Sequence, residues 1–359
     1  MRKFAFFLPQ FYEIEENNRW WGKGFTEWTN IKRSKTLYKG HKIQKPLNDN
    51  YYNLLDKKTM EWQTDLMNSY GIDGMIYYHY YFGNNKMIME KPAENLLKWK
   101  EIKQNFFFCW ANHSFTKVGW IKREILAQQE YGDVNDWEQH FRYLLPFFKD
   151  ERYVKEDNKP LLMLFKSNFC EKNEMCDYLN SRCKEEGFDG ICIIESYLGE
   201  KWPKGYNDMR ENKSNSTEYI FIREPNFETY MYKNSLNKCQ YLVRLFFEVL
   251  SRVKMTLHPE MFNGKELMKR KNECEPCGQD VIHGFSFQWD STPRHGRRGY
   301  VISPVDKEDF IDYIDKIKDE KYLFINAWNE WSEGMVLEPT DINGYKYLEW
   351  IKCINNCSE

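Results

Sequence analysis

Glu330 and Glu333 stand three residues apart in the segment Asn326-Ala-Trp-Asn-Glu-Trp-Ser-Glu-Gly334. In an extended strand, residues i and i+3 point to opposite faces. The two carboxyls therefore converge only if the chain turns after Glu330, and Gly334 permits such a turn. Two carboxyls in an aromatic, partly dry pocket can divide acid and base work between them. One keeps its proton for a leaving oxygen while the other stays ionised, which is what cleavage of a glycosidic bond requires. The same spacing also suits a helix N-terminus, capped by Ser332 or Asn329 and favoured by the helix dipole. Spacing alone leaves both readings open.

Other residues could bind a polyhydroxylated ligand. Trp20, Trp21 and Trp28 fall in one long loop near the N-terminus, where indole rings can stack on sugar C–H faces and their N–H groups can meet hydroxyls. Packing within that loop is the alternative. Glu27 either binds a hydroxyl or caps the loop. Gln10, Tyr12, His79, Trp110, Asn112, His113, Trp289 and Asp290 sit at the ends of apolar runs, as do Asn329 and Trp331 around Glu330. His79 and His113 lack a third ligand at metal-site spacing, so hydroxyl contacts are expected of them and neither metal nor cofactor is. Of Tyr77, Tyr78, Tyr80 and Tyr81, strand alternation turns half away from any pocket. Asp290 and Arg294 read either as a buried ion pair or as hydroxyl and anion contacts. Arg294, Arg297 and Arg298 with His295 form a basic cluster that faces either a phosphate or uronate, or solvent.

The elements that must position these residues are eight short apolar runs: Phe4–Leu8, Gly74–Tyr80, Asn105–Trp110, Leu161–Phe165, Ile191–Glu195, Tyr219–Arg223, Ile282–Trp289 and Tyr322–Trp328. Near-continuous apolarity marks parallel strands covered on both faces. Helical periodicity fills most of the gaps, at Lys57–Tyr70, Ala93–Lys103, Asn135–Lys149, Glu171–Glu186, Lys238–Val253, Lys307–Lys318 and Gly344–Asn355. Ser196–Thr217 is polar and predicts no helix. The pattern predicts an α/β fold, a single (β/α)₈ barrel of residues 1–359 with long βα loops and its site at the strands' C-terminal ends. A doubly wound sheet would carry a glycine-rich phosphate loop after its first strand, and here Pro9-Gln-Phe-Tyr12 follows instead.

With 52 Lys+Arg against 54 Asp+Glu, the net charge is -2, which speaks against nucleic acid as the partner. The apolar run Phe4–Leu8 is too short for a secretion signal, and no run reaches the ~18 residues of a membrane span. Scattered cysteines read as reduced thiols, and Cys274-Glu-Pro-Cys277 as ordinary loop thiols. A cytoplasmic location is expected. Aromatic residues make up 17% of the chain, and the placement of the tryptophans near the two glutamates suggests a sugar cleft.

Several segments, in order, resemble the WbsX-type carbohydrate-active proteins, whose domain is similar to glycoside hydrolase family 99, the endo-α-mannosidase-like family. They are Phe4–Tyr12, Asn18–Asn30, Gly74–Tyr81, Cys109–His113, Trp289–Arg294 and the stretch ending in Glu338-Pro339. The Asn-Glu-Trp-x-Glu-Gly motif of family 99 is matched by Asn329 to Gly334. The resemblance implies a (β/α)₈ barrel and a retaining reaction in which Glu330 is the base on the sugar's 2-hydroxyl and Glu333 the acid/base. It implies an oligosaccharide or surface, O-antigen-type polysaccharide as substrate. Ser332 stands where family 99 has His, so the pair is carried further than mannose is. WbsX-type proteins are also described as glycosyltransferases of polysaccharide assembly, and a non-catalytic glycan-binding barrel is the third reading.

Overall fold

The computed structural model describes residues 1–118, 123–199, 201, 204–252, 258–273, 278 and 280–356. Eight strands run through it: β1 (Arg2–Phe7), β2 (Gly74–Tyr81), β3 (Phe106–Trp110), β4 (Lys159–Leu164), β5 (Cys192–Tyr197), β6 (Thr217–Ile222), β7 (Val281–Phe285) and β8 (Tyr322–Ile325). Each pairs in parallel with the next, and β8 pairs with β1, so the sheet closes. Helices lie between the strands, including Lys57–Ser69, Val134–Phe148, Lys172–Glu185 and Lys307–Lys316. This is the (β/α)₈ barrel that the alternation of apolar runs predicts.

Closure has a physical cause in the strand residues. Phe4 and Phe6 of β1, Phe107 of β3, Phe221 of β6 and Phe324 of β8 are at most 1% exposed and meet inside the barrel. Their ring centroids lie 5.3–6.0 Å apart in the pairs Phe4–Phe107, Phe4–Phe324, Phe6–Phe221, Phe107–Phe324 and Phe221–Phe324. Barrel interiors are filled by side chains rather than hollow, and here the filling is a stack of phenyl rings. The alternate residues face the helices: Tyr77 stacks on Phe7 at 4.4 Å and donates to Gln104.

Local departures from the sequence expectations have local reasons. A helix occurs at Lys204–Glu211, where none is predicted; only its Tyr206 is buried, so it carries no apolar period to read. The helices Asn226–Asn234 and Gly264–Glu273 were likewise not expected. β7 stops at Phe285, and Trp289–Asp290 belongs instead to a small second sheet with Glu260–Phe262 and Tyr300–Ile302. The helix expected at Asn135 is capped by Asp133, whose side chain accepts the Asn135 and Asp136 N–H groups. Cys274 and Cys277 lie outside the described residues. Among the described residues, no helix is long and apolar enough to cross a membrane.

Phe324 touches four other rings of the plug, so Phe324→Ala opens a cavity at its centre. The expected cost is about 3–5 kcal/mol of unfolding free energy, measured by urea denaturation; a loss below about 1 kcal/mol would show that the ring stack does not hold the barrel.

Candidate active site

The end of β8 supplies the two glutamates through a hairpin. Asn329–Glu330 pairs antiparallel with Met335–Val336, and Trp331–Glu333 forms one turn of 3₁₀ helix between them. Gly334 closes that turn at φ +62°, and a Cβ there would lie 3.0–3.3 Å from Asp290. The chain turns after Glu330, as convergence demands, and no α-helix begins here. Asn329 clamps the hairpin to β1 by accepting from the Leu8 N–H at 2.7 Å and donating to the Leu8 carbonyl at 3.1 Å. Glu338 anchors its far side by accepting from Gln63, Trp331 and Tyr52 at 2.6–2.9 Å. Burial pushes the Glu338 carboxyl up to about 7, against the pull of these donors.

Three carboxylates meet on one guanidinium. Arg294, from the short helix Thr292–His295 after β7, lies 2.5 Å from Glu333, 3.5 Å from Glu330 and 3.3 Å from Glu27. Glu27 opens the helix Glu27–Arg33 in the loop after β1. The Ser332 hydroxyl donates to Glu27, and Asn30 donates to both. Trp289 donates its indole N–H to Glu333 at 3.1 Å. Contact with one guanidinium brings the Glu330 and Glu333 carboxyls together, as a glycosidase pair requires.

The environment separates the two acids. Burial, then the neighbouring Glu333 charge, push Glu330 up to about 8, against Arg294. Burial also opposes ionisation of Glu333, but Arg294, His295 and Arg223 together hold it below the usual carboxylate range. Of the two, Glu330 favours its proton and Glu333 favours the anion. Burial raises the phenols of Tyr78 and Tyr80, on the inward face of β2, so that both stay neutral beside Glu330.

The structure brings together Glu27, Trp289, Arg294, Glu330 and Glu333, and it sends most of the other expected residues elsewhere. His79 faces the helix layer, where its Nε2 lies 2.9 Å from His140 Nε2 and its ring stacks on Tyr143. Trp110, its register partner, turns the same way and donates to the Tyr81 carbonyl. Asn112 is spent on the Lys166 backbone, with a 2.7 Å bond in each direction. Trp28 is buried against Phe11 and Trp331 and donates to the Tyr52 carbonyl. Asp290 pairs with His41 at 2.8 Å, so the Asp290–Arg294 pair is not formed. Gln10 is buried, its carbonyl accepting the Glu27 N–H. Tyr12 is buried beside Glu90.

Trp20 and Trp21 are half-buried, stacked on Phe115 and set beside Phe25. His113 stacks on Phe165 at 4.9 Å. Two other strand-end acids, Glu195 and Glu224, are buried in ion pairs with Lys172 and Lys271 of the helix layer, both at 2.9 Å. Sequence reasoning missed Arg223, Tyr78 and Tyr80 as site residues. The tyrosines' inward phase could have been read from alternation with Phe6, on which Tyr78 stacks; Arg223 looked like the end of a strand.

The family model described as Glycosyltransferase WbsX matches residues 3–351. A protein of Xanthomonas campestris pv. campestris strain B100, described as uncharacterized protein WxcX, is 25% identical over 358 residues, covering 96% of this chain and 48% of its own length. The chain spans about half the length of the curated relatives it matches. Among solved structures, an endo-α-mannosidase of glycoside hydrolase family 99 from Bacteroides thetaiotaomicron superposes with a TM-score of 0.57 at 12% identity, covering 99% of this chain and 98% of the other. A chain described as a glycoside hydrolase-like protein gives 0.57 at 10% identity, covering 99% and 93%. These likenesses show the fold.

The Glu330 proton has a consequence for stability. In the folded chain it is held up to about pH 8, but in the unfolded chain only to about 4.3. Between those values the folded state binds more protons, so stability falls as pH rises through the window. Glu330→Gln removes this dependence, and the variant should gain on its parent from about pH 5 to 8 and level off above that in urea unfolding at fixed pH. Parallel curves for the two proteins would contradict the raised carboxyl.

Proposed function

Because the chain belongs to the WbsX glycosyltransferase family, we propose that it is a carbohydrate-active enzyme working at a glycosidic bond, with Glu330 and Glu333 as its acid/base pair. The observation that carries this reading is the convergence of both carboxyls on Arg294 with their proton affinities driven apart. Such a pair can protonate a departing sugar oxygen from one side and activate the attacking group from the other. The resting proton makes Glu330 the acid and Glu333 the base. The resemblance to family 99 implies the opposite order. Trp289, half-buried and tied to Glu333, offers an indole face beside the pair, and the phenols of Tyr78 and Tyr80 offer neutral donors.

Transfer of a sugar to an acceptor is the second reading, favoured by the family's description; hydrolysis is favoured by the acid/base pair itself. The same carboxyls can serve both: water attacks in hydrolysis and an acceptor hydroxyl in transfer, where a nucleotide-sugar donor releases a nucleoside diphosphate in place of a sugar. A surface polysaccharide is the substrate class that the reading takes.

Incubation with α-linked oligosaccharides, and separately with nucleotide sugars plus acceptor glycans, should yield cleavage in the first set or extension in the second. Turnover should follow a bell in pH, with an alkaline limb near 8 from Glu330. Glu330→Gln and Glu333→Gln should each lower kcat by about 10²–10⁴-fold with glycan binding retained. Unchanged turnover in both variants would overturn the carboxylate pair, and glycan binding with no turnover of any substrate would leave a glycan-binding barrel.

A further inference from the structure

Across the opening from the carboxylates, the mouths of β3 to β6 form an arc of polar groups without partners. Arg223 follows Ile222 of β6, and Phe221 points into the barrel plug. Arg223, two residues beyond Phe221, therefore lies on the inward face at the strand's end. Its guanidinium sits 3.9 Å over the Phe165 ring. Among the described residues, no carboxylate lies within 4 Å of it, and its buried Nε has no hydrogen-bond partner. His113 stacks on the same Phe165 ring, at 4.9 Å and 26°, with its buried Nδ1 also unpartnered.

The arc continues on the neighbouring strands. Ser196 is the register partner of Phe221 and so shares its inward face, while Glu195 turns outward to Lys172. The Ser196 hydroxyl is buried without a partner, as is that of Ser167 on the loop leaving β4. Buried polar groups are nearly always satisfied in a folded protein. Several left open on one arc, around a cation held flat by an aromatic ring, match a ligand that brings acceptors and negative charge. A guanidinium grips carboxylate or phosphate oxygens through its fork of N–H donors. Glu333 balances the Arg223 charge only through space, and the Arg223 Nε–H still lacks an acceptor that a ligand oxygen would supply.

Resting on the reading that Glu330 and Glu333 act at a glycosidic bond, we propose that Arg223, with His113 and Ser196, binds an anionic group of the substrate. The glycan or sugar donor then carries a carboxylate or a phosphate close to the bond that reacts. A uronic acid and the diphosphate of an activated donor share this chemistry, and they differ in what they say about the reaction.

The test is calorimetric binding in the Glu330→Gln background, which separates recognition from turnover. Three probes are compared: a glucuronate-containing α-linked oligosaccharide, the same oligosaccharide with its carboxyl reduced to an alcohol, and UDP-glucose. The acidic oligosaccharide should bind about tenfold or more tightly than its reduced counterpart, or UDP-glucose should bind, and Arg223→Met should erase that advantage. Arg223→Lys should restore part of it, and affinity for the reduced oligosaccharide should stay unchanged in both variants. An Arg223-dependent gain for the uronate alone marks an acidic glycan; a gain for UDP-glucose alone marks a donor phosphate. Equal affinity for the acidic and reduced forms together with no binding of UDP-glucose overturns the proposal, as does a preference that survives in Arg223→Met. If Arg223→Met does not fold, Arg223→Gln takes its place. Full turnover by Glu330→Gln would sink the carboxylate pair alone, because the binding comparison does not depend on it.

Discussion

One guanidinium against three carboxyls is the constraint on which the site depends. Glu27, Glu330 and Glu333 come from the loop after β1 and the hairpin after β8, and Arg294 comes from the loop after β7. Like charges drawn this close in a poorly hydrated pocket cannot all ionise without compensation. Arg294 supplies part of it, a proton on Glu330 supplies more, and Ser332 and Asn30 satisfy Glu27 with hydrogen bonds. The three segments are held in register because separating any one would leave a buried charge without its partner. The inequality between Glu330 and Glu333 follows from the same arrangement: the guanidinium sits closer to Glu333 than to Glu330.

The barrel makes that arrangement affordable by being rigid beneath it. Its interior is a stack of phenyl rings, and its outer layer is filled by rings of the opposite strand phase, such as Phe7, Tyr77 and Trp110. Much of the aromatic excess therefore serves packing. Trp28, Trp110, Trp328 and Trp331 are all buried, and the first, second and fourth spend their indole N–H groups on protein acceptors. Trp20, Trp21 and Trp289 are the half-buried indoles near the cleft. The tryptophans expected to map a sugar cleft thus divide by side-chain direction, and fewer than half of them face outward from the core.

Much of the architecture was legible in the chain. Eight apolar runs mark eight strands to within a few residues, because a strand buried on both faces has no choice but to be apolar throughout. The turn after Glu330 was legible only as one of two options, since Gly334 permits it and the same spacing suits a helix N-terminus. The helix Lys204–Glu211 was not, because it buries little and so leaves no periodic trace. Nor was the partnership of Asp290 with His41, 249 residues apart, since nothing in sequence proximity favours it over the nearer Arg294. His79 sits on the outward phase of a strand in which every residue is buried, so composition could not tell its face from that of Tyr78.

The sequence by itself determined the barrel, the ends of its strands and the Glu330–Glu333 motif, for these rest on local periodicity, apolar runs and one glycine. Only the tertiary structure decided which strand-end residues face the opening, which cation neutralises which acid, and where the proton resides. Those outcomes depend on distances between loops far apart in the chain and on how much water remains between them. Burial and Coulomb interactions act through space, and the order of residues along the chain does not record that space.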